Sequence, residues 1–205
     1  MSIDAAFARG PGLSRTSPLR KRDYLDRVAR GGYPEAIRRA PRRRAAFFDS
    51  YLTNLIERDV QELAAIERPS WPSSIPASPR LLGQDTARLG DPGGAAGPMI
   101  ETFVLMELAR QLTWSAERAR LYHYRTKDKV EVDAVLETPD GRVIAIEVKA
   151  GATVRSEDLA GLRHLSHRLG PRLVAGYVLY TGQQTLPFGD GLRALPIDAL
   201  WTTVP

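Results

Sequence analysis

Apolar residues recurring at steps of three and four mark the helices of this chain. In 41–66, Phe48, Tyr51, Leu52, Leu55, Ile56, Val60 and Leu63 form one stripe, and Arg42, Arg43, Arg44, Glu57, Arg58 and Glu62 lie mostly off it. Such a stripe needs cover, from the C-terminal part of the chain, a partner or a second copy. A second helix is predicted over Met99–Thr113, with Ile100, Phe103, Val104, Leu108 and Leu112 inward. The period then shortens. Leu121–Tyr124 and about Val130–Glu137 read as strands. Pro139-Asp140-Gly141 supplies turn chemistry, and Val143–Lys149 is apolar and β-branched until it ends in Glu147-Val148-Lys149. Ser156 is placed to cap a helix whose Leu159, Leu162, Leu165 and Leu169 face a core and which Gly170-Pro171 stops. Leu173–Tyr180 is another apolar strand, and Leu192–Leu195 reads as a last one. Pro196–Trp201 is predicted as a terminal turn with Trp201 plugging the core edge. Helix, three strands, helix, strand suits a mixed sheet with helices packed on it.

Upstream the pattern is weaker. Met1–Pro18 mixes Gly, Pro, Ser and Arg without a period and is expected to be a disordered tail. Lys21–Arg30 can form a short helix closed by Gly31-Gly32, and Tyr33-Pro34-Glu35 can start another. Residues 69–96 are rich in Pro, Gly and Ser and read as a linker. The expected divisions are therefore a tail at 1–18, a helical segment at 19–68, the linker at 69–96 and an α/β domain at 97–205.

Composition narrows the class. The chain has 205 residues, 43% of them hydrophobic and none of them Cys. No apolar run has transmembrane length, so a membrane is not expected as a partner, and a reducing cytoplasmic setting is. The net charge is +5, and residues 1–68 hold 14 Lys/Arg against 9 Asp/Glu while the rest hold 15 of each. That basic surplus is either a phosphate-attracting patch or a solvated Arg face. No Gly-x-x-x-x-Gly-Lys-Ser/Thr loop occurs, so the chain is expected to have no ATP site of its own.

The candidate chemistry lies on the two strands around Asp140. Side chains alternate along a strand, so Glu147 and Lys149 share one face. Charge at the end of an apolar strand needs a reason. In one reading, Glu147 and Lys149 are a solvated ion pair and Asp133 is a surface acid. In the other, Asp133 and Glu147 converge on a hard divalent cation such as Mg²⁺, and Lys149 holds or activates a water against a phosphate. His123 reads as a packed or edge residue, and His164 and His167 as solvent-facing. Arg125, Lys127 and Lys129 read equally as phosphate contacts or an ordinary polar turn.

Asp133 followed by Glu147-Val148-Lys149 resembles the signature of the PD-(D/E)XK nuclease superfamily, whose core runs αβββαβ. Gly97-x-x-x-Glu101 resembles the helix opening of archaeal Holliday-junction resolvases within it, so Glu101 is the expected helix acid, with Glu107 the runner-up. The resemblance implies a metal-dependent deoxyribonuclease site. Asp133, Glu147 and the Val148 carbonyl would hold Mg²⁺, Lys149 would position water or steady charge, and Glu101 would orient Lys149 or hold a second ion.

A wider stretch is similar to the C-terminal part of prokaryotic AAA-type ATP-binding proteins that carry such a domain. Gly31-Gly32-Tyr33-Pro34-Glu35, Tyr51-Leu52 and Arg58-Asp59-Val60 resemble the segment after the ATPase core. Leu81-Leu82-Gly83, Asp85 and Arg88-Leu89 resemble the run before the last domain. Gly97-x-x-x-Glu101, Tyr124-Arg125, Glu131-Val132-Asp133, Glu147-Val148-Lys149 and Pro196–Trp201 match that domain itself. The ATPase and winged-helix parts have no counterpart here. The resemblance implies DNA, a separate ATPase, or a second copy through the 41–66 helix as partners. Two functions follow: Mg²⁺-dependent hydrolysis of DNA, or a non-catalytic module that binds DNA or docks on a partner.

Overall fold

A computed structural model describes residues 2–30, 96–127 and 130–201. The expected helix at 41–66, the linker up to residue 95 and Lys129 lie outside the described residues. The chain divides into two compact units, residues 1–24 with 100–205, and residues 25–99. Of the second, residues 25–30 and 96–99 are described.

Among the described residues the α-helices are α1 (Ile3–Arg9), α2 (Lys21–Arg30), α3 (Ala96–Leu112) and α4 (Ala160–Leu169). The strands are β1 (Arg120–Arg125), β2 (Glu131–Glu137), β3 (Val143–Lys149), β4 (Leu173–Tyr180), β5 (Leu186–Pro187) and β6 (Leu192–Pro196). They form one six-stranded mixed sheet in the order β1-β2-β3-β4-β6-β5. β1, β2 and β3 are antiparallel neighbours, while β3, β4 and β6 run parallel and β5 closes the edge antiparallel. α4 is the crossover that a parallel β3–β4 step requires.

The central strands are buried on both faces, which is why β3 and β4 read as continuous apolar runs. On one face Val132, Ala145, Val178, Leu192 and Ala194 pack with Leu159, Leu162 and Leu165 from α4 and the turn before it. The opposite-pointing Ile144, Ile146, Tyr177 and Leu179 are as fully buried. α4 comes closest to the sheet at Gly161, where a Cβ would lie 2.2 Å from the Glu131 carbonyl oxygen. Only glycine permits that approach. Trp201 packs at the edge as predicted, its ring 5.6 Å from Phe103 and 6.3 Å from Tyr24.

The expectation of disorder over Met1–Pro18 fails. Ser2 caps α1 by accepting the Ala5 N–H, and Ile3, Ala6 and Phe7 make a short buried stripe. Gly10 turns the chain at φ +48°, and its carbonyl accepts the buried Tyr177 hydroxyl. Beyond it, Arg15 N–H donates to Thr185 Oγ1 at 2.7 Å, Ser17 N–H donates to the Gln183 carbonyl at 2.8 Å, and Arg15 pairs with Asp198 at 3.0 Å. The reason is physical: three apolar residues and a cap suffice when a sheet supplies the other half of the core. Composition over eighteen residues averages that signal away. A second correction is small. The turn before α4, Ser156–Leu159, is capped at Arg155 and not at Ser156: Asp158 Oδ2, rather than a serine hydroxyl, takes the leading N–H, that of Arg155, at 2.8 Å.

Candidate functional site

The ladder between β2 and β3 runs from Glu137–Val143 to Ala134–Ile146 and stops. Asp133 and Glu147 are the next residues across from one another. The cause is on the other side of β2. Against β1, Tyr122 pairs with Val135 and Tyr124 with Val132, so Asp133 and Ala134 together oppose His123. That is a β-bulge, a device that re-aims a side chain and ends pairing. The Val148 N–H, left without a backbone partner on β2, donates to Asp133 Oδ2 at 2.7 Å. A residue's N–H and C=O point to the same side of a strand, so the Val148 carbonyl also faces this gap.

Across the gap, Glu147 Oε1 lies 3.0 Å from Lys149 Nζ, and Asp158 Oδ1 lies 3.8 Å from the same ammonium. Burial and then the Asp133 charge push Glu147 up to about 7, against the pull of Lys149 and the Asp133 backbone N–H. Burial also raises Asp133, opposed by the Val148 N–H, by Lys149 and by His123. Glu101, near the start of α3, is raised by burial and then by the charges of Asp133 and Glu131. Burial alone would lower Lys149, but its bond to Glu147 and the surrounding acids outweigh it and the amine is raised. Four groups from three separate stretches of the chain thus share one electrostatic environment in which three acids resist ionising and one amine stays charged.

The remaining candidates sort by partner. Glu107 is buried, bonded to Arg110 and to Gln111 Nε2, whose amide also reaches the Leu200 carbonyl at 2.7 Å; its role is to tie α3 to the C-terminal turn. Arg125 pairs with Glu131 at 2.8 Å across the hairpin. His167 is exposed, and His164 Nε2 lies 3.1 Å from the Tyr124 hydroxyl. Gln183 and Gln184 hold backbone, the first at Ser17 and the second through the Tyr180 hydroxyl. Sequence reasoning missed two participants. Asp158 lies in the turn that opens the crossover, nine residues after Lys149, which brings it back to the same strand end. His123 faces Asp133 only because of the bulge, which no residue pattern announced.

Residues 96–200 match the family described as a domain of unknown function, DUF4143. The chain belongs to the DUF4143 family. The match spans α3, the whole sheet, α4 and every group of the site, and the family is found in AAA-ATPase-associated proteins. Residues 21–82 match a second domain of unknown function, DUF8612. No curated protein and no solved structure matches the chain. The N-terminal residues 2–20, which complete the packing around Tyr177, lie outside both family matches.

Among the described residues, no group of three or more His, Asp or Glu side chains is arranged to hold a metal ion. Mg²⁺ does not need such a cage: it keeps several waters and takes one or two carboxylates. Asp133, Glu147 and the Val148 carbonyl are all hard oxygen donors. Burial and then the Asp133 charge raise Glu147, and a bound cation would relieve the second of these. Among the described residues no helix is long and apolar enough to cross a membrane.

Proposed function

We propose that this DUF4143 chain is a nuclease-like module that works beside an AAA-type ATPase and hydrolyses DNA phosphodiester bonds with Mg²⁺. The observation that carries the reading is the bulge in β2, which sets the Asp133 carboxylate on the Val148 N–H directly across from Glu147. Asp133, Glu147 and the Val148 carbonyl would hold the metal. When bound, Mg²⁺ supplies polarisation of the phosphate and a lower pKa for the attacking water. Lys149 stays protonated beside Glu147 and offers its charge to the phosphate oxygens as negative charge builds there. Asp158, 3.8 Å from that ammonium in the turn before α4, would help to hold it, and Glu101 on α3 would orient it through its charge or hold a second ion.

A plasmid-nicking assay tests the reading. Parental protein should nick DNA with Mg²⁺ and not with EDTA, and Asp133→Ala should lose the activity. Equal nicking by the variant identifies a contaminant and overturns the proposal. The rival reading, a non-catalytic DNA-binding or docking module, draws on Lys149 being neutralised already by Glu147 at 3.0 Å. It predicts salt-sensitive binding without cleavage.

A further inference from the structure

We infer that the exposed face shared by β1 and α4 is a track for single-stranded nucleic acid leading to Lys149. The inference rests on the nucleic-acid reading above for its polyanion, but its evidence lies outside the acid cluster. The sequence of α4, Ala-Gly-Leu-Arg-His-Leu-Ser-His-Arg-Leu, contains no acid. Leu162 and Leu165 face the core, which leaves Arg163, His164, His167 and Arg168 exposed. Beside it, Arg120, Tyr122 and Tyr124 share one face of β1 by strand alternation. Tyr124 joins the two elements, its hydroxyl 3.1 Å from His164 Nε2 and its ring 6.0 Å from the imidazole. Tyr122 is 45% exposed, a large aromatic on an edge strand with no core to fill. The acids in the neighbourhood are already engaged: Glu137, across from Arg120, pairs with Arg172 at 2.7 Å, and Glu157 pairs with Arg155 at 3.4 Å.

The face opens onto the site at the start of α4. There Asp158 reaches Lys149, and Gly161 rests against the β2 carbonyl two residues before Asp133. Cations follow the phosphates, and an exposed tyrosine can stack only on a base whose faces are free. A duplex hides those faces, so the occupant is a single strand rather than a duplex or a protein.

The test is fluorescence anisotropy of the full chain with a labelled oligothymidylate in EDTA, so that no cleavage contributes. The single strand should bind tighter than a duplex of equal length. Tyr122→Ala should weaken it about tenfold with the salt slope unchanged, and Tyr122→Phe should bind like the parent. Arg163→Ala with Arg168→Ala should weaken binding and flatten the salt slope by about 1.4, near 0.7 per phosphate lost. Duplex bound as tightly as single strand, or variants that bind like the parent, overturns the track. If the variants weaken binding in a chain that cleaves nothing, the nuclease reading fails and the track stands. If the parent cleaves in an Asp133-dependent way and the variants bind unchanged, the track fails and the nuclease reading stands.

Discussion

The two ends of the β2–β3 hairpin are both charged, and they are built in opposite ways. At the turn, Asp140 bonds Arg142 at 2.8 Å, Arg142 bonds Glu117 at 2.7 Å, and Arg172 bonds Glu137 at 2.7 Å and the Gly141 carbonyl at 3.0 Å. The Thr138 hydroxyl and then Arg142 hold Asp140 down to about 2. At the open end, the three acids Glu101, Asp133 and Glu147 are half-buried around one amine, and all three are raised. The turn end relieves every charge it carries. The open end keeps like charges close, which a fold alone does not require. Three raised acids share the single amine of Lys149, and this incomplete relief is what the proposed metal site builds on.

The largest effect should separate the two ends by activity. Lys149→Ala should cut Mg²⁺-dependent nicking by roughly 10²–10³-fold, in the range of a lost electrostatic stabiliser. Asp140→Ala should leave the nicking rate unchanged. A comparable loss in both would erase the distinction. Next in size is stability at the turn end. Phe7 is buried beneath the Arg142 guanidinium, which sits 5.2 Å from its ring centroid. Phe7→Ala should cost about 3 kcal/mol in urea unfolding, and the folded variant should still nick DNA.

The open end should answer to pH instead. Glu147 has a folded pKa of about 7, raised from 4.5, so the folded state prefers it protonated. Its contribution is therefore fully present below about pH 4.5 and is lost as pH rises through about 7. Glu147→Gln should stabilise the protein relative to the parent at pH 8 by about 1–2 kcal/mol after allowance for solvent screening, and by much less at pH 4.5. Denaturant midpoints at the two values measure it, and a variant less stable at pH 8 contradicts the assignment. The smallest effect belongs to Asp140, whose depressed pKa works the other way. Its contribution is present above about 3.8 and is lost as pH falls towards 2. Asp140→Asn should therefore lower stability slightly near neutrality and match the parent once the pH falls to about 2.

Much of this was legible in the residues. The bounds of β3 and β4 follow from the residues because strands buried on both faces leave unbroken apolar runs, and the C-terminal end of α4, though not its start, because Gly170-Pro171 stops it. Asp133, Glu147 and Lys149 were legible because charge stands out against such runs. Three things were not. The α1 stripe is too short to rise above its Gly- and Pro-rich surroundings. The bulge that turns Asp133 toward Val148 depends on which residues of β1 it meets, and that is set by tertiary register. Asp158 reaches Lys149 only through the crossover geometry.

The most direct test of the account is a carboxyl-carbon NMR titration of Glu147 with and without Mg²⁺. The midpoint should lie near 7 in the metal-free protein. Added magnesium should shift it downward by about one unit or more, because a cation between the two carboxylates removes their repulsion. A midpoint near the ordinary glutamate value that magnesium does not move would contradict it.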